Sequence, residues 1–496
     1  MVAGERLSAL DAAFLDLEND RQQLHVGSLL LFEGPVPSFE DFSAHVESRL
    51  GSIPRYRQRV QRMPLALARP VWVDDPHFLL AHHLRHAAVP SPGGGDELRA
   101  FMAQVMSQRL DRHRPLWELW LVEGVSEERW AVITKTHHAM IDGLAGGEVM
   151  ERLLDQRPED PRNLDDPRDS PVPRAPPVSP PAWRPEPPPS RLELLAAASA
   201  DLLRLPVDAA RAALRGVAGI RSPGGLVRAG AVRASGLLTA GRTAAAPTSS
   251  LNGPLGPHRR WGWARAELRD IRGVKAAAGC SVNDVVLAGV AGGFREYLLA
   301  RGEDVSDTRI RSLVPVSVRT ARHRGRLGNE VTAMFAELPV DVADPLERLA
   351  STTRQMNRLK SSGEAAGVEA ALHAANFVPA SLMTLGAHVY AFTGQRVVNT
   401  VTTNIPGPQY PLQLLGRRML ELFPYIPVAE AVRISIGIVS YDGHLTVGAT
   451  GDYTAVPDLD VLCAAIEGSL AELVRESGRL ERRTSGPHRG RDRSDR

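Results

Sequence analysis

The residues of this chain best equipped for chemistry are two adjacent histidines, His137 and His138, within the run Lys135-Thr-His-His-Ala-Met-Ile-Asp-Gly143. A neutral imidazole titrates near physiological pH, so it can take the proton of a hydroxyl as that oxygen attacks an ester or thioester. Residues 130–134 read as a short buried strand and 143–147 open toward a helix, which sets the pair at a strand end. Neighbouring side chains on a strand point to opposite faces, so His137 and His138 cannot both line one channel. One acts as general base, and the other packs or braces the turn. Asp142 could hold an imidazole tautomer, as the aspartate of a serine-hydrolase triad does. Gly143 permits a backbone angle or a close approach that a side chain would block. The pattern points to acyl transfer.

Holding such a turn takes an α/β framework, and the chain supplies the pieces. An N-terminal unit over 1–155 alternates strand-like runs at 26–32, 71–73, 119–122 and 131–134 with helical stretches at 39–50 and 96–110. Residues 156–190 are crowded with proline, reaching Pro185-Glu-Pro-Pro-Pro189. Such a composition favours extended conformations and builds no core, so it reads as a partly disordered linker or as a proline-rich ligand for another protein. Residues 191–255, rich in alanine, leucine and arginine, read as short helices of a crossover interrupted at Pro206 and Pro223. A second α/β unit over 256–478 offers strands at 261–268, 309–318 and 330–338 and a helix at 283–300. A further helix there starts with Asp344 as N-cap and Pro345 at its first position. The remainder, 479–496, is an arginine-rich tail without hydrophobic periodicity, expected to be disordered.

Further short motifs give the chain a family likeness. Leu7-Ser-Ala-Leu-Asp-Ala-Ala-Phe-Leu15 and His25-Val-Gly-Ser-Leu-Leu-Leu-Phe-Glu-Gly34 open it, and Arg114-Pro-Leu-Trp-Glu118 precedes the histidines. Ser281-Val-Asn-Asp-Val-Val286, Leu327-Gly-Asn329, Thr403-Asn-Ile-Pro-Gly-Pro408, the run 435–444 and Gly451-Asp-Tyr453 follow in order. Together with His-His-x-x-x-Asp-Gly, over about residues 5 to 475, they resemble the bacterial wax ester synthase/acyl-CoA:diacylglycerol acyltransferase family. The resemblance implies an α/β fold of two chloramphenicol-acetyltransferase-like domains with mixed sheets, joined by a long crossover, with the active-site channel between them. It assigns the general base to His138, leaves His137 a secondary, structural part, and implies that Asp142 pairs with an arginine and fixes the turn. Asn283 is either an oxyanion donor or brace from the other domain, or part of a helix cap with Asp284. Pro115, Leu116 and Trp117 either shape the acyl-CoA side or pack at a strand entry. Asn404, Pro406 and Gly407 belong to a turn-rich loop that reaches across to the other domain.

The implied reaction moves a long-chain acyl group from acyl-CoA to diacylglycerol or a long-chain fatty alcohol, with no acyl-enzyme. Acyl-CoA is then a co-substrate, and neither a metal nor another cofactor is expected. A carrier-protein-dependent condensation enzyme and a non-catalytic lipid-binding protein are the other readings. Composition fits: 59 basic residues, only three of them lysines, balance 57 acidic ones, so no nucleic-acid partner is called for. Two distant cysteines suggest no disulfide framework, and no run of about 18 apolar residues suggests a span. The expected location is the cytoplasm, peripherally on the inner face of the plasma membrane or on lipid inclusions. Stretches 192–205 and 207–220, with Arg204, Arg211 and Arg215, read either as interfacial helices or as helices packed on the body. The apolar stretch 368–392 reads as core helices lining an acyl tunnel. Two basic clusters are ambiguous. His82-His-Leu-Arg-His86 has a helical metal-binding spacing but no further ligand type nearby, and Arg55-Tyr-Arg-Gln-Arg-Val-Gln-Arg62 either meets CoA phosphates or is a solvated helix end.

Overall fold

The strand-forming runs assemble into three sheets in a computed structural model. It describes residues 4–64, 67–140, 143–156, 183–200, 246, 249–317, 331–362, 397–429 and 431–484. Most of the proline-rich segment and of the crossover, the tunnel stretch 368–392, Asp142, Leu327-Gly-Asn329 and the last residues of the tail lie outside the described residues.

The first half contributes Glu5–Arg6 (β1), Ala9–Leu17 (α1), His25–Glu33 (β2), Phe39–Arg49 (α2), Gln58–Gln61 (β3), Val71–Asp74 (β4) and Leu84–Ala88 (β5). Gly95–Ser107 (α3), Trp117–Val125 (β6), Arg129–His137 (β7), Gly143–Leu153 (α4) and Asp155–Gln156 (β8) follow. The second half contributes Arg259–Glu267 (β9), Leu268–Ala278 (α5), Val282–Ala300 (α6), Ile310–Ser317 (β10), Val331–Leu338 (β11) and Pro345–Ser362 (α7). It ends with Thr400–Pro406 (β12), Leu412–Leu414 (β13), Arg417–Tyr425 (β14), Ile434–Tyr441 (β15), His444–Asp452 (β16) and Leu459–Thr484 (α8).

A seven-stranded sheet runs β5-β6-β7-β2-β14-β13-β8 and a six-stranded one β11-β10-β12-β15-β16-β9; both mix parallel and antiparallel pairs. The expected boundary at 256 does not separate the sheets. β13 and β14 cross back to complete the first sheet, with Leu30 opposite Leu422 and Leu29 opposite Phe423. Their apolar side chains are buried in the first half's core, which explains why a division drawn by composition misses the exchange. The back of β14 then seals the two sheets: Pro424 O accepts from Trp261 Nε1 at 3.1 Å, and Leu422 O from Thr446 Oγ1.

In the second core α6 is buried along most of its length and meets α8 through glycines. A Cβ on Gly293 would lie 2.4 Å from Ile466 Cγ1 and 2.8 Å from its Cα, so neither side chain nor backbone leaves room for one. Gly293→Ala is expected to lower unfolding stability by about 1–3 kcal/mol, although alanine is the better helix former. Urea unfolding checks this, and an unchanged or raised midpoint would contradict the packing argument. The helix α8 runs on to Thr484, past the boundary expected at 479, because its apolar stripe from Leu459 to Leu473 commits the chain to a helix whose last turns need no core. Asp344 Oδ1 accepts from Glu347 N at 2.8 Å at the start of α7. Both cysteines are free. Among the described residues no single helix is long and apolar enough to cross a membrane.

Candidate active site

The strand leading to the histidines is longer than 130–134: β7 continues through His137, which pairs across to His25 on β2. His138 is the first residue beyond it, and the turn it sits in is pinned from three directions. Its own N–H donates to Leu24 O at 2.8 Å. The next amide, Ala139 N, donates to His137 Nδ1 at 3.0 Å, and Met140 N donates to His137 O at 2.9 Å. Backbone donors and acceptors fixed this way leave the turn little freedom. The His138 ring, half-buried, stacks on Phe14 with centroids 4.3 Å apart, whereas His137 is fully buried.

Because Nδ1 of His137 accepts from Ala139, its proton sits on Nε2, which points at Glu18 Oε1 at 3.6 Å. The same oxygen lies 3.2 Å from His25 Nε2. Glu18 Oε2 accepts from Arg112 Nε at 3.0 Å and Nη2 at 2.5 Å, with Arg109 Nη2 at 3.5 Å. Burial alone would raise the Glu18 carboxyl, but its interactions with His137 and His25 outweigh it, and the net shift is far downward. The carboxylate is therefore ionised. Helix α1 explains how it gets there: the Ser8–Asp11 capping box fixes the helix start, and one face then delivers Phe14 to His138 and, one turn on, Glu18 to the other two rings. Lys135, also buried, donates to Val105 O at 2.8 Å and Gln108 O at 2.7 Å. It thereby caps α3, which ends at Ser107 rather than 110. Burial pushes the Lys135 ammonium down to about 8. The sequence pattern missed Phe14, Glu18, His25 and Lys135, since only the helix spacing of 14 and 18 hinted that two of them share a face.

Two buried histidines make the fold acid-sensitive. Burial, with the Lys135 charge adding, pushes His25 down to about 4, and burial pushes His83 down to about 4. Both are neutral when folded and take protons on unfolding near 6.5, so stability is full above that value and falls as pH drops from 6.5 toward 4. A loss on the order of 3 kcal/mol per histidine is expected across that window. A midpoint of denaturation flat between pH 7 and 4.5 would contradict it.

The other site candidates lie as follows. Gly143 is the first residue of α4, which packs against β12. Asn283 does not cap α6: the cap is Ser281, in a box with Asp284, and Asn283 Oδ1 instead accepts from Asn404 Nδ2 at 3.3 Å. Asn404 and Pro406 are in strand β12, not a loop, opposite Ile438 and Ser440 of β15. A proline fits there because, among the described residues, the pairing to β10 on the other side reaches only Thr400 and Val401. The turn begins at Gly407, where a Cβ would lie 2.3 Å from Ser440 O. Beyond it the chain does reach across, with Tyr410 Oη donating to Glu151 Oε1 of α4 at 3.2 Å.

Pro115, Leu116 and Trp117 are buried. Trp117 lies between Tyr56 and His83, at 4.4 and 4.6 Å, and donates to Tyr56 O at 2.8 Å; Leu116 O accepts from His137 N at 2.9 Å. These side chains pack the strand entry and present no surface to acyl-CoA. In the histidine cluster, the Leu80–His82 turn and β5 replace a helix, so the metal spacing does not form; His83 is a core ring and His86 stacks on Phe39. The basic cluster is engaged internally: Arg55 with Glu5 at 2.6 Å, Arg59 with Asp75 at 4.0 Å, Arg62 with Asp16 at 3.2 Å, and Arg57 over the Trp183 ring. Among the described residues no three His, Cys, Asp or Glu side chains are placed to hold a metal, and Glu18 is already taken by arginines.

Two mixed sheets that exchange strands, with a His-His turn ending a central strand, define a two-lobed fold shared with peptide-synthesis condensation domains. The first condensation domain of the calcium-dependent antibiotic synthetase superposes with a TM-score of 0.60 at 19% identity, covering 96% of this chain and 98% of that one. The wax ester synthase/diacylglycerol acyltransferase from Marinobacter aquaeolei VT8 gives a TM-score of 0.64 at 27% identity, covering 96% and 100%. The probable diacylglycerol O-acyltransferase tgs1 of Mycobacterium tuberculosis (strain ATCC 25618 / H37Rv) is 35% identical over 477 residues, 95% of this chain and 96% of its own. Residues 7–286 match the wax ester synthase/diacylglycerol acyltransferase catalytic domain and 327–474 the C-terminal domain of the same family. The chain belongs to the wax ester synthase/diacylglycerol acyltransferase family.

Proposed function

We propose that the chain transfers a long-chain acyl group from acyl-CoA to the hydroxyl of diacylglycerol or of a long-chain alcohol, with His138 as general base. The observation that carries this is the contrast within the pair: His137 is sealed against Glu18 while the His138 residue keeps some solvent exposure on a hydrogen-bonded turn. His138 takes the hydroxyl proton as that oxygen bonds to the thioester carbon. The C–S bond then breaks, and the sulfur leaves as a thiolate whose conjugate acid, if it resembles a cysteine thiol, has a pKa of about 8.5, so it needs little acid help. No acyl-enzyme is required, because donor and acceptor meet at one imidazole. Asn283, tied to Asn404 of β12, is the second-half amide that would meet a developing oxyanion.

The acceptors are almost insoluble in water, so the enzyme works at a bilayer or lipid-inclusion surface on the cytoplasmic side. Leu192, 79% exposed on the helical stretch 191–200, supports such contact. The test is ester formation by purified protein from palmitoyl-CoA, offered dioleoylglycerol and hexadecanol separately with mixed vesicles. Product with either acceptor is expected, and the ratio gives the preference. Absence of product with both, from folded protein, would overturn the reading.

A further inference from the structure

The turn that carries His138 is pinned in part by one lone pair. Ala139 N donates to His137 Nδ1 at 3.0 Å, so that nitrogen must be bare and the ring proton must sit on Nε2. With the proton on Nδ1 instead, two N–H groups would face each other in a buried space, and the turn would have to open. Which nitrogen of a neutral imidazole carries the proton is set by the group that faces the other one. For His137 Nε2 that group is Glu18 Oε1, at 3.6 Å. The contact is long for a hydrogen bond. A negative charge at that range, with both side chains buried, still favours a proton on the nitrogen turned toward it.

A carboxylate does this where a neutral side chain of the same shape would not. Glu18 accepts through both oxygens: Oε1 faces His137 and His25, the latter at 3.2 Å, and Oε2 takes Arg112 Nε at 3.0 Å. A glutamine amide offers one accepting oxygen and one donating nitrogen. With its oxygen turned to Arg112, its N–H groups would point at the imidazoles and favour the His137 tautomer that repels Ala139 N. Turned the other way, its N–H groups would meet the guanidinium. Glu18 also closes α1, its N–H donating to Phe14 O at 3.3 Å. The docking that sets the tautomer therefore also sets Phe14 against the His138 ring.

We propose that Glu18 is a positioning residue for acyl transfer: through the His137 tautomer, its carboxylate holds the turn that aims His138. The inference rests on His138 being the general base, as above. A base takes a proton only along its own lone pair, and a displacement of about 1 Å can lower a rate on the order of 10²-fold. Glu18 itself takes no proton from the acceptor and acts only through its neighbour.

Glu18→Gln tests this, because it keeps the side-chain volume and removes one accepting oxygen. Assayed well below its melting temperature with palmitoyl-CoA and the acceptor that wild type uses, it is expected to lose roughly 10–100-fold in kcat. The KM of both substrates should stay within about twofold of wild type. Glu18→Asp, with two accepting oxygens on a shorter stem, should recover part of the loss. A residue that served only stability would shift the melting temperature and leave kcat per folded molecule alone. His137→Asn shows the route: an asparagine oxygen can stand where Nδ1 stands and accept from Ala139 N with no tautomer to set. In that background Glu18→Gln should cost no more than about twofold further in kcat. Nuclear magnetic resonance of isotopically labelled histidine reads the tautomer directly. The His137 ring signals, identified by their loss in His137→Asn, should place the proton on Nε2 in wild type and move it toward Nδ1 in Glu18→Gln. If Glu18→Gln keeps the wild-type kcat or the wild-type tautomer while His138→Ala abolishes turnover, the positioning role falls and the base reading stands. If Glu18→Gln costs as much in the His137→Asn background as alone, Glu18 does not act through His137 and the proposal falls. If His138→Ala keeps its activity, the base reading falls and the positioning role with it.

Discussion

The variant His138→Ala is expected to fold like wild type yet lose about 10²–10⁴-fold in kcat with palmitoyl-CoA and either acceptor, the usual worth of a positioned base. Folding should survive because the ring is partly exposed and stacks on Phe14, while the turn is held by backbone groups and by His137. The effect should therefore sit in kcat, not in melting temperature or acyl-CoA affinity. Phe14→Leu makes a graded companion: it keeps an apolar surface under the ring but removes the stack, so a smaller drop in kcat is expected. The neighbouring variant His137→Ala should behave oppositely, costing stability first, because it opens a buried void and leaves Glu18 facing it. Residual activity of His138→Ala within tenfold of wild type would mean that another group removes the proton.

The histidine pair, its place at a strand end and the mixed α/β character were legible because they depend on local residue type and short periodicity. The partners of the pair were not. Glu18 is one charged residue near the end of a short amphipathic helix, and nothing in its neighbours says that the carboxylate is buried. Only the docking of α1 across the end of β7 brings it to His137, and only the pairing of β2 with β7 sets His25 beside them. The exchange of β13 and β14 was hidden for a related reason. The run Arg417–Tyr425 has adjacent apolar pairs and a proline where clean alternation would mark a strand, so it does not read as one, and nothing in it names the sheet it joins. The motif Pro115-Leu-Trp117 shows the converse: its residue types left the acyl-CoA side and strand-entry packing equally open, and only the fold encloses it between Tyr56 and His83.

Removing the Glu18 carboxylate should produce the largest stability effect of any single change at this site. Glu18→Ala leaves Arg112, Arg109, His25 and His137 around a space that held one negative charge. Removing the carboxylate costs about 1–3 kcal/mol, less than a fully buried pair would, because Arg112 and Arg109 are 28% and 38% exposed and recover hydration while the buried imidazole N–H groups lose their acceptor. Lys135 adds to this, since Glu18 is among the charges that hold its ammonium up against burial. Without it that group falls below about 8 and begins to lose its proton near neutrality, weakening the cap on α3. Glu18→Gln keeps the shape but not the charge, so it should recover packing and little of the electrostatics. The pH dependence separates the two contributions. The folded Glu18 carboxyl lies well below its ordinary value of 4.5, so its share of stability is present above 4.5 and lost as pH falls below it. Wild type should therefore lose stability in two stages, first as His25 and His83 oppose protonation between 6.5 and 4, then as Glu18 does below 4.5. Glu18→Gln should lack the second stage. Urea midpoints of wild type, Glu18→Ala and Glu18→Gln at pH 7 and pH 4 read this directly. If both variants stay within about 1 kcal/mol of wild type at pH 7, the cluster behaves as a solvated ion pair and does not brace the His138 turn.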